Sequence, residues 1–397
     1  MHNYQNNSVV LNIDPQYYNT LDIESFFLMM KDPSYCYKFY WLEAIVKLIS
    51  RNVEETTFNE IIDEMIVNAW YSVCEFHIHL SGIQNGEVRD GLERAVLKLK
   101  EITGLNANAS SAEIHNAINE HASELKPYKE QLTNMVPYRA LAGFFQKTEK
   151  HVNWESARRV IAFMDEVNQT NTLPYTLGSS PKLKKEVHIN PAWAEMIREN
   201  TVSILGWIQY EKLKWLQTNN PEVPGLVHKL LPMDVKMRKL NNVRNLWKGV
   251  LERTVITDVF NGQILNNTSY DIDHFIPWSF VMNDELWNLM PMDSGLNSSK
   301  SNNLPKWNPF FDHFSDNQYI MYELVNRDND IRKKYEGCYR DNLHSIWAGQ
   351  ELYRPGNTKE VFKTILETNM KPLYDSAKRQ GYAEWGYRSQ TTIPRQR

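Results

Sequence analysis

The sequence predicts a mainly α-helical protein with a small α+β unit embedded in its second half. Residues 34–50 (SYCYKFYWLEAIVKLIS) and 58–80 (FNEIIDEMIVNAWYSVCEFHIHL) are apolar-rich and hold no Pro or Gly, the pattern of helices that pack on one another. Residues 270–305 (YDIDHFIPWSFVMNDELWNLMPMDSGLNSSKSNNLP) read instead as strand, loop, strand, helix. At 397 residues the chain exceeds one typical core, so two or three domains are expected. The division expected is a helical N-terminal region over 1–180 and a second region over 186–397. The latter holds the α+β unit at about 250–310 and a helical C-terminal extension.

In chain order, residues 91–105 are amphipathic, and Ser110 with Glu113 makes a capping box ahead of another helix. His77 and His79, taken as helical, diverge from one another and have no third ligand nearby, so they read as core or surface residues rather than metal ligands. Pro137 then marks a turn and opens a compact aromatic run to 145, and 153–167 follows as a helix. Residues 174–185 (PYTLGSSPKLKK) gather Pro, Gly and Ser before a basic stretch and read as a linker or exposed loop. From Pro191 one long helix is predicted up to the NNPEVPG breaker at 219–225. Its Trp193, Trp207 and Trp215 read as core rather than as base-stacking platforms.

Between positions 229 and 253 stand seven cations, Lys229, Lys236, Arg238, Lys239, Arg244, Lys248 and Arg253, against only Asp234 and Glu252. Leu240, Val243, Trp247 and Leu251 recur at helical spacing, so one face can pack and a basic face can stay open. Set against a merely solvated helix, the stretch is read as a phosphate-contacting arm, with Arg244 and Lys248 as its phosphate-binding candidates. VITDVF at 255–260 is strand-like and NGQ a turn; two helical segments and a basic tail complete the chain.

Composition limits the function. A net charge of −4 argues against non-specific coating of nucleic acid. Three scattered cysteines imply no disulfide framework and suit a reducing cytosol. With no signal-like N-terminus and no run of eighteen apolar residues, a cytoplasmic protein without a membrane partner is expected.

The chemistry concentrates in 270–305. Asp273 and His274 end a short strand halted by Pro277; a histidine titrating near neutrality can serve as general base, and the carboxylate beside it is the hard donor that Mg²⁺ or Mn²⁺ prefers. Asn297, in the first turn of the following helix, could bring a second oxygen to that cation, and Lys300, one turn on, could reach a phosphate. Asp271 shares a strand face with Asp273 and reads either as an outer-shell ligand or as a strand-start acid. A lone Asp-His pair means little, and Asp312-His313 is a second one without partners; here Asn288, Asn297 and Lys300 follow His274 by 14, 23 and 26 positions on elements of the right type.

This constellation resembles the HNH endonucleases, whose ββα-metal hairpin carries an Asp-His pair on its first strand, an Asn on its second and a His or Asn on its helix. It is similar to the HNH domain of the RNA-guided CRISPR nucleases. The resemblance implies a DNA endonuclease in which Asp273 and Asn297 are metal ligands and His274 is the general base. Asn288, counted with the catalytic set, braces the loop holding the histidine. It implies Mg²⁺ or Mn²⁺ as cofactor; no CxxC pair is present for the structural zinc of many such domains. A stand-alone HNH protein with helical extensions further suggests a prokaryotic anti-phage or restriction nuclease, with a protein partner or homo-oligomer formed through the helical region. The alternatives are a mobile-element nuclease, or a non-cutting DNA-binding or scaffold module with a degenerate hairpin.

Overall fold

The computed structural model describes residues 13–30, 35–82, 88, 90–134, 136–145, 156–170, 173–230, 238–265 and 269–387. Among the described residues the chain is mostly helical with two small sheets, and it divides into two compact units, Met1–Pro221 and Glu222–Arg397.

In the first unit, α1 (Tyr37–Ser50) packs on α2 (Phe58–Cys74), and α2 on α3 (Gly91–Thr103). Thr57 and Glu60 form a capping box that starts α2, and α4 (Ser111–Glu120) begins at the Ser110–Glu113 box expected from the sequence. There the Ser110 amide donates to Glu113 Oε2 at 2.7 Å and the Glu113 amide donates to Ser110 Oγ at 3.3 Å, so two orphan donors are satisfied locally. Helix α2 stops at Cys74, short of the predicted end, and His77 and His79 lie beyond it rather than on it. His77 is left-handed at φ 52°, and His79 Nδ1 sits 2.7 Å from Glu93 Oε1.

The break expected at 180–186 lies inside this unit. Strand β1 (Glu55–Thr57) and β2 (Tyr175–Leu177) both pair antiparallel with β3 (Glu186–Ile189), giving the order β1-β3-β2 with Glu55 opposite His188 and Tyr175 opposite Ile189. The segment read as a linker is therefore one strand and the approach to another. The long helix predicted from Pro191 is two, α5 (Pro191–Glu199) and α6 (Thr201–Asn219), separated at Asn200. Trp193 and Trp207 are buried and Trp215 is half-buried, as core residues rather than open platforms. A buried ion pair, Lys212 Nζ to Glu43 Oε2 at 2.7 Å, ties α6 to α1. Burial alone would raise the Glu43 carboxyl, but Lys212 and Lys47 outweigh it and hold the group below its ordinary range.

The second unit is built around one core that runs from Val243 to Trp385. Its longer elements are α7 (Asn241–Leu251), α9 (Trp307–Arg327), α10 (Asn329–Glu336) and α11 (Lys359–Arg379), and between them lie β4 (Asp271–His274), β5 (Leu289–Met292) and α8 (Ser294–Lys300). VITDVF is not a strand: among the described residues its ladder contact is a single Thr257–Ile264 bridge, although the turn expected at NGQ is present, with Gly262 at φ 69°. Strands β4 and β5 pair antiparallel, Asp271 opposite Met292 and His274 opposite Leu289. β5 is buried throughout, while β4 alternates, with Asp271 and Asp273 on the half-exposed face. Two strands of four residues do not hold themselves together in water. Helix α9 supplies what they lack: Phe314 lies 4.7 Å from the Phe275 ring, and buried Gln318 donates Nε2 to the Leu289 carbonyl at 2.7 Å. Helix α7 approaches α10 closely at Gly249, where a Cβ would stand 2.8 Å from Ile331 Cδ1, so only glycine fits without a shift.

Candidate functional site

Strand β4, β5 and α8 bring together the residues spaced through 270–305. Asp293 caps α8 by accepting from the Gly295 and Leu296 amides at 2.9 and 3.0 Å, which fixes where the helix starts. Buried Asp258 then staples the preceding turn to that cap: it accepts from the Phe260, Asn261 and Asp293 amides at 2.8, 3.1 and 2.8 Å. Sequence reasoning missed Asp258, whose local signal was only an acid three residues before an Asn-Gly turn.

With α8 set, Asn297 reaches β4. Its Nδ2 lies 3.3 Å from Asp271 Oδ2, so the contact is with Asp271 rather than with Asp273. Asp273 is instead held by Lys300, whose Nζ donates to Asp273 Oδ2 and to the His274 carbonyl, each at 2.8 Å. Lys300 is 0% exposed. The phosphate contact considered for it is thereby corrected: a buried ammonium with two partners inside the hairpin does not face a substrate backbone, and its role here is to brace the end of β4.

Asp271, Asp273 and Asn297 thus leave hard oxygen donors on one side of the hairpin, since Lys300 engages only one Asp273 oxygen and Asn297 turns only its amide nitrogen to Asp271. This donor chemistry fits Mg²⁺ or Mn²⁺ and not a soft metal. Among the described residues no three His, Cys, Asp or Glu side chains converge, so a cation here would draw on the Asn297 amide oxygen beside the two carboxylates.

His274 points the other way, as alternation along a strand requires. Its Nε2 is 3.1 Å from the Asn283 carbonyl and 3.1 Å from Asp284 Oδ1. A carbonyl only accepts, so Nε2 carries the hydrogen, and in the neutral ring Nδ1 keeps its lone pair. Asp284 Oδ1 makes no directed hydrogen bond, because the N–H is aimed at Asn283; its attraction to the ring is by charge and proximity. Burial tends to raise the Asp284 carboxyl, but His274, the Lys239 amide and Arg238 together hold it below its ordinary range. Met282, left-handed at φ 55°, ends the short helix Trp278–Val281 and turns residues 283–284 toward the histidine. That turn was not legible in the sequence, and with it Asp284 was missed. Replacing Asp284 by Asn is expected to slow any His274-dependent reaction about tenfold, less than loss of the base itself because the Asn283 carbonyl still sets the tautomer. A pH–rate profile that does not move in Asp284→Asn would remove this positioning role.

Asn288 is fully buried and clamps the loop after His274. Its Oδ1 accepts from the Ile276 amide and its Nδ2 donates to the Ile276 carbonyl, both at 2.8 Å, while its own carbonyl accepts from the Phe275 amide at 2.8 Å. Its side-chain hydrogen bonds both go to backbone, the arrangement of a residue that positions the loop.

The basic stretch is thinner than its sequence suggests. Lys229 is buried, donates to the Phe280 carbonyl at 2.6 Å and is pushed down by burial to about 7. Lys239 pairs with Asp341 and Arg253 with Asp328, at 2.8 and 2.5 Å, and Arg238 stacks 4.6 Å over the Trp278 ring. Lys236 lies outside the described residues. Arg244 and Lys248 are the two that stand exposed on α7, opposite buried Val243, Leu246 and Trp247.

No curated protein and no solved structure matches the chain. Residues 259–306 match the family model of the HNH endonucleases, a span that starts beside the Asp258 staple and ends after α8. The chain therefore carries a domain of the HNH endonuclease family, a family of nucleases.

Proposed function

We propose that the protein is a divalent-metal-dependent endonuclease that hydrolyses DNA phosphodiester bonds. The observation that carries this reading is the two-sided end of β4: Asp271 and Asp273 with Asn297 on one side, and on the other a histidine whose Nε2–H is spent on Asn283. In this reading Asp273, Asn297 and, beside them, Asp271 hold the cation. The cation, when bound, offsets charge developing on the phosphate and the leaving oxygen. His274 Nδ1 takes a proton from the attacking water, whose oxygen forms the new bond to phosphorus as the bond to the leaving sugar oxygen breaks. Asn288 and Lys300 keep β4 and its loop in place. Cleavage of plasmid DNA is expected with Mg²⁺ or Mn²⁺ and none in excess EDTA; undiminished cutting in EDTA would end the metal-dependent reading.

A second reading, a module that binds DNA without cutting it, is favoured by one observation: His274 is only 2% exposed. For catalysis Nδ1 must come within reach of water as substrate seats, and catalytic contacts do commonly form only in the complex. DNA retarded but never nicked under either metal would decide for the binding module.

DNA is held, in our reading, by the exposed cations of α7. Arg244→Glu with Lys248→Glu should lower the slope of log affinity against log salt by about 0.9 for each phosphate that the helix no longer touches. An unaltered slope would mean that α7 does not face DNA. The setting we propose, prokaryotic anti-phage defence or restriction, rests on kinship alone; equal phage plating on cells carrying the parent protein and cells carrying none would speak against it.

A further inference from the structure

Apart from the hairpin, the second unit holds a solvent-open cleft of about 850 Å³ between the C-terminal half of α9, α10 and the segment 349–357. It shares no lining residue with the hairpin and is of the size that small-molecule sites occupy. Its walls combine tyrosine rings with arginines. Tyr339 is 55% exposed and rests edge-on against Tyr335, ring centroids 5.3 Å apart, which leaves a face of Tyr339 open to a flat partner. Tyr335 in turn meets Tyr353 at 5.4 Å.

The cations are differently committed. Arg332, at the rim, is fixed by donating to the Val325 and Asn326 carbonyls at 3.2 and 2.9 Å. Arg327 has an exposed pair with Glu323, of the kind that contributes little and exchanges readily. Arg354 is exposed and its guanidinium has no partner among the described residues. Its backbone, by contrast, is anchored: the Tyr322 hydroxyl donates to the Arg354 carbonyl at 2.7 Å and accepts from the Asn357 amide at 2.9 Å. Asn357 also caps the carbonyls of Glu351 and Leu352 at 2.7 and 3.0 Å. Those carbonyls end a π-helical turn over Ala348–Leu352, a rare feature that often marks functional sites. Immediately after it, Tyr353 lines the cleft while 7% exposed, and its hydroxyl is buried with no hydrogen-bond partner among the described residues.

We infer that this cleft binds a nucleotide, its base stacked on Tyr339 and its phosphate met by Arg354 and Arg327. Stacking on an aromatic side chain and a charge-assisted fork to phosphate are the two contacts a nucleotide offers together. An apolar ligand would leave the arginines unanswered, and a simple anion would leave the rings so. The nucleotide is either free or one residue of a single strand, and the chemistry is the same. This inference does not rest on the nuclease reading.

The test is calorimetric titration of the full chain in EDTA with AMP, GMP, ATP and octathymidylate, with adenosine and inorganic phosphate for comparison. The variants are Tyr339→Ala and Arg354→Ala; both alter exposed side chains, so the fold should be retained. Saturable binding of a nucleotide or of the oligomer, weakened about tenfold by Tyr339→Ala and Arg354→Ala, is the expected result. Mononucleotide binding assigns a free nucleotide, and binding of octathymidylate alone assigns a strand. No saturable binding of any probe at millimolar concentration, or binding that both variants leave at the parent affinity, overturns the proposal.

Discussion

Replacing His274 by Gln is expected to slow DNA cleavage about a hundredfold or more while the melting temperature stays near that of the parent. The side chain of Gln can still donate to the Asn283 carbonyl, so the contact that seats residue 274 survives, but no basic nitrogen remains to accept a proton from water. Alanine is a poorer probe. The ring is buried, so His274→Ala would open a cavity and leave Asp284 without the ring beside it, and a fall in rate would be confounded by a fall in stability. From the sequence alone a mild effect of alanine on folding would be expected; burial of the ring changes that. Single-turnover rates of His274→Gln beside its thermal denaturation separate the two effects, and parental cleavage by a folded His274→Gln protein would show that another group is the base.

Lys300→Met is expected to destabilise the second unit by about 3 kcal/mol, the scale seen when one partner of a buried ion pair is removed. For a unit of this size that is about 10 °C in Tm. The reason is what the substitution leaves behind: an Asp273 carboxylate only 16% exposed and a His274 carbonyl, both stripped of the same donor. Cleavage should fall as well, about tenfold or more, because Asp273 would no longer be held in one orientation toward the cation proposed there. A lysine that contacted phosphate would behave in the opposite way, with Tm unchanged and the salt dependence of DNA binding reduced by about one counterion. Thermal denaturation and a salt titration of the same variant therefore discriminate between the brace and the phosphate contact.

What the sequence disclosed and what it hid divide by range. The Ser110–Glu113 capping box was legible because both partners lie within one turn, and the strand, loop, strand, helix order of 270–305 because period, proline and turn residues are local signals. The spacing of Asp273, His274, Asn288 and Asn297 was readable for the same reason. Lys300 shows the limit: its type and position suited a phosphate contact, but its burial follows from how α8 lies on β4, which no local pattern encodes. Asp284 depends on a left-handed Met282, a backbone state that a residue other than glycine does not announce. The segment at 174–185 looked like a linker because its Pro, Gly and Ser are turn residues; the sheet it joins also holds β1, more than a hundred positions away in sequence.

The dependence of the two short strands on α9 bears on how the HNH segment can be moved between proteins. Residues 259–306 are the part recognisable by kinship, yet Phe275 packs against Trp307, Phe311 and Phe314, and Gln318 satisfies the Leu289 carbonyl, all from beyond that span. Excised at its recognisable borders, the segment would lose the wall that keeps its strands dry and would not be a portable cassette. A graft meant to carry the site elsewhere must take Glu222–Arg397 as its unit, so that here the smallest exchangeable module is set by packing and not by the motif.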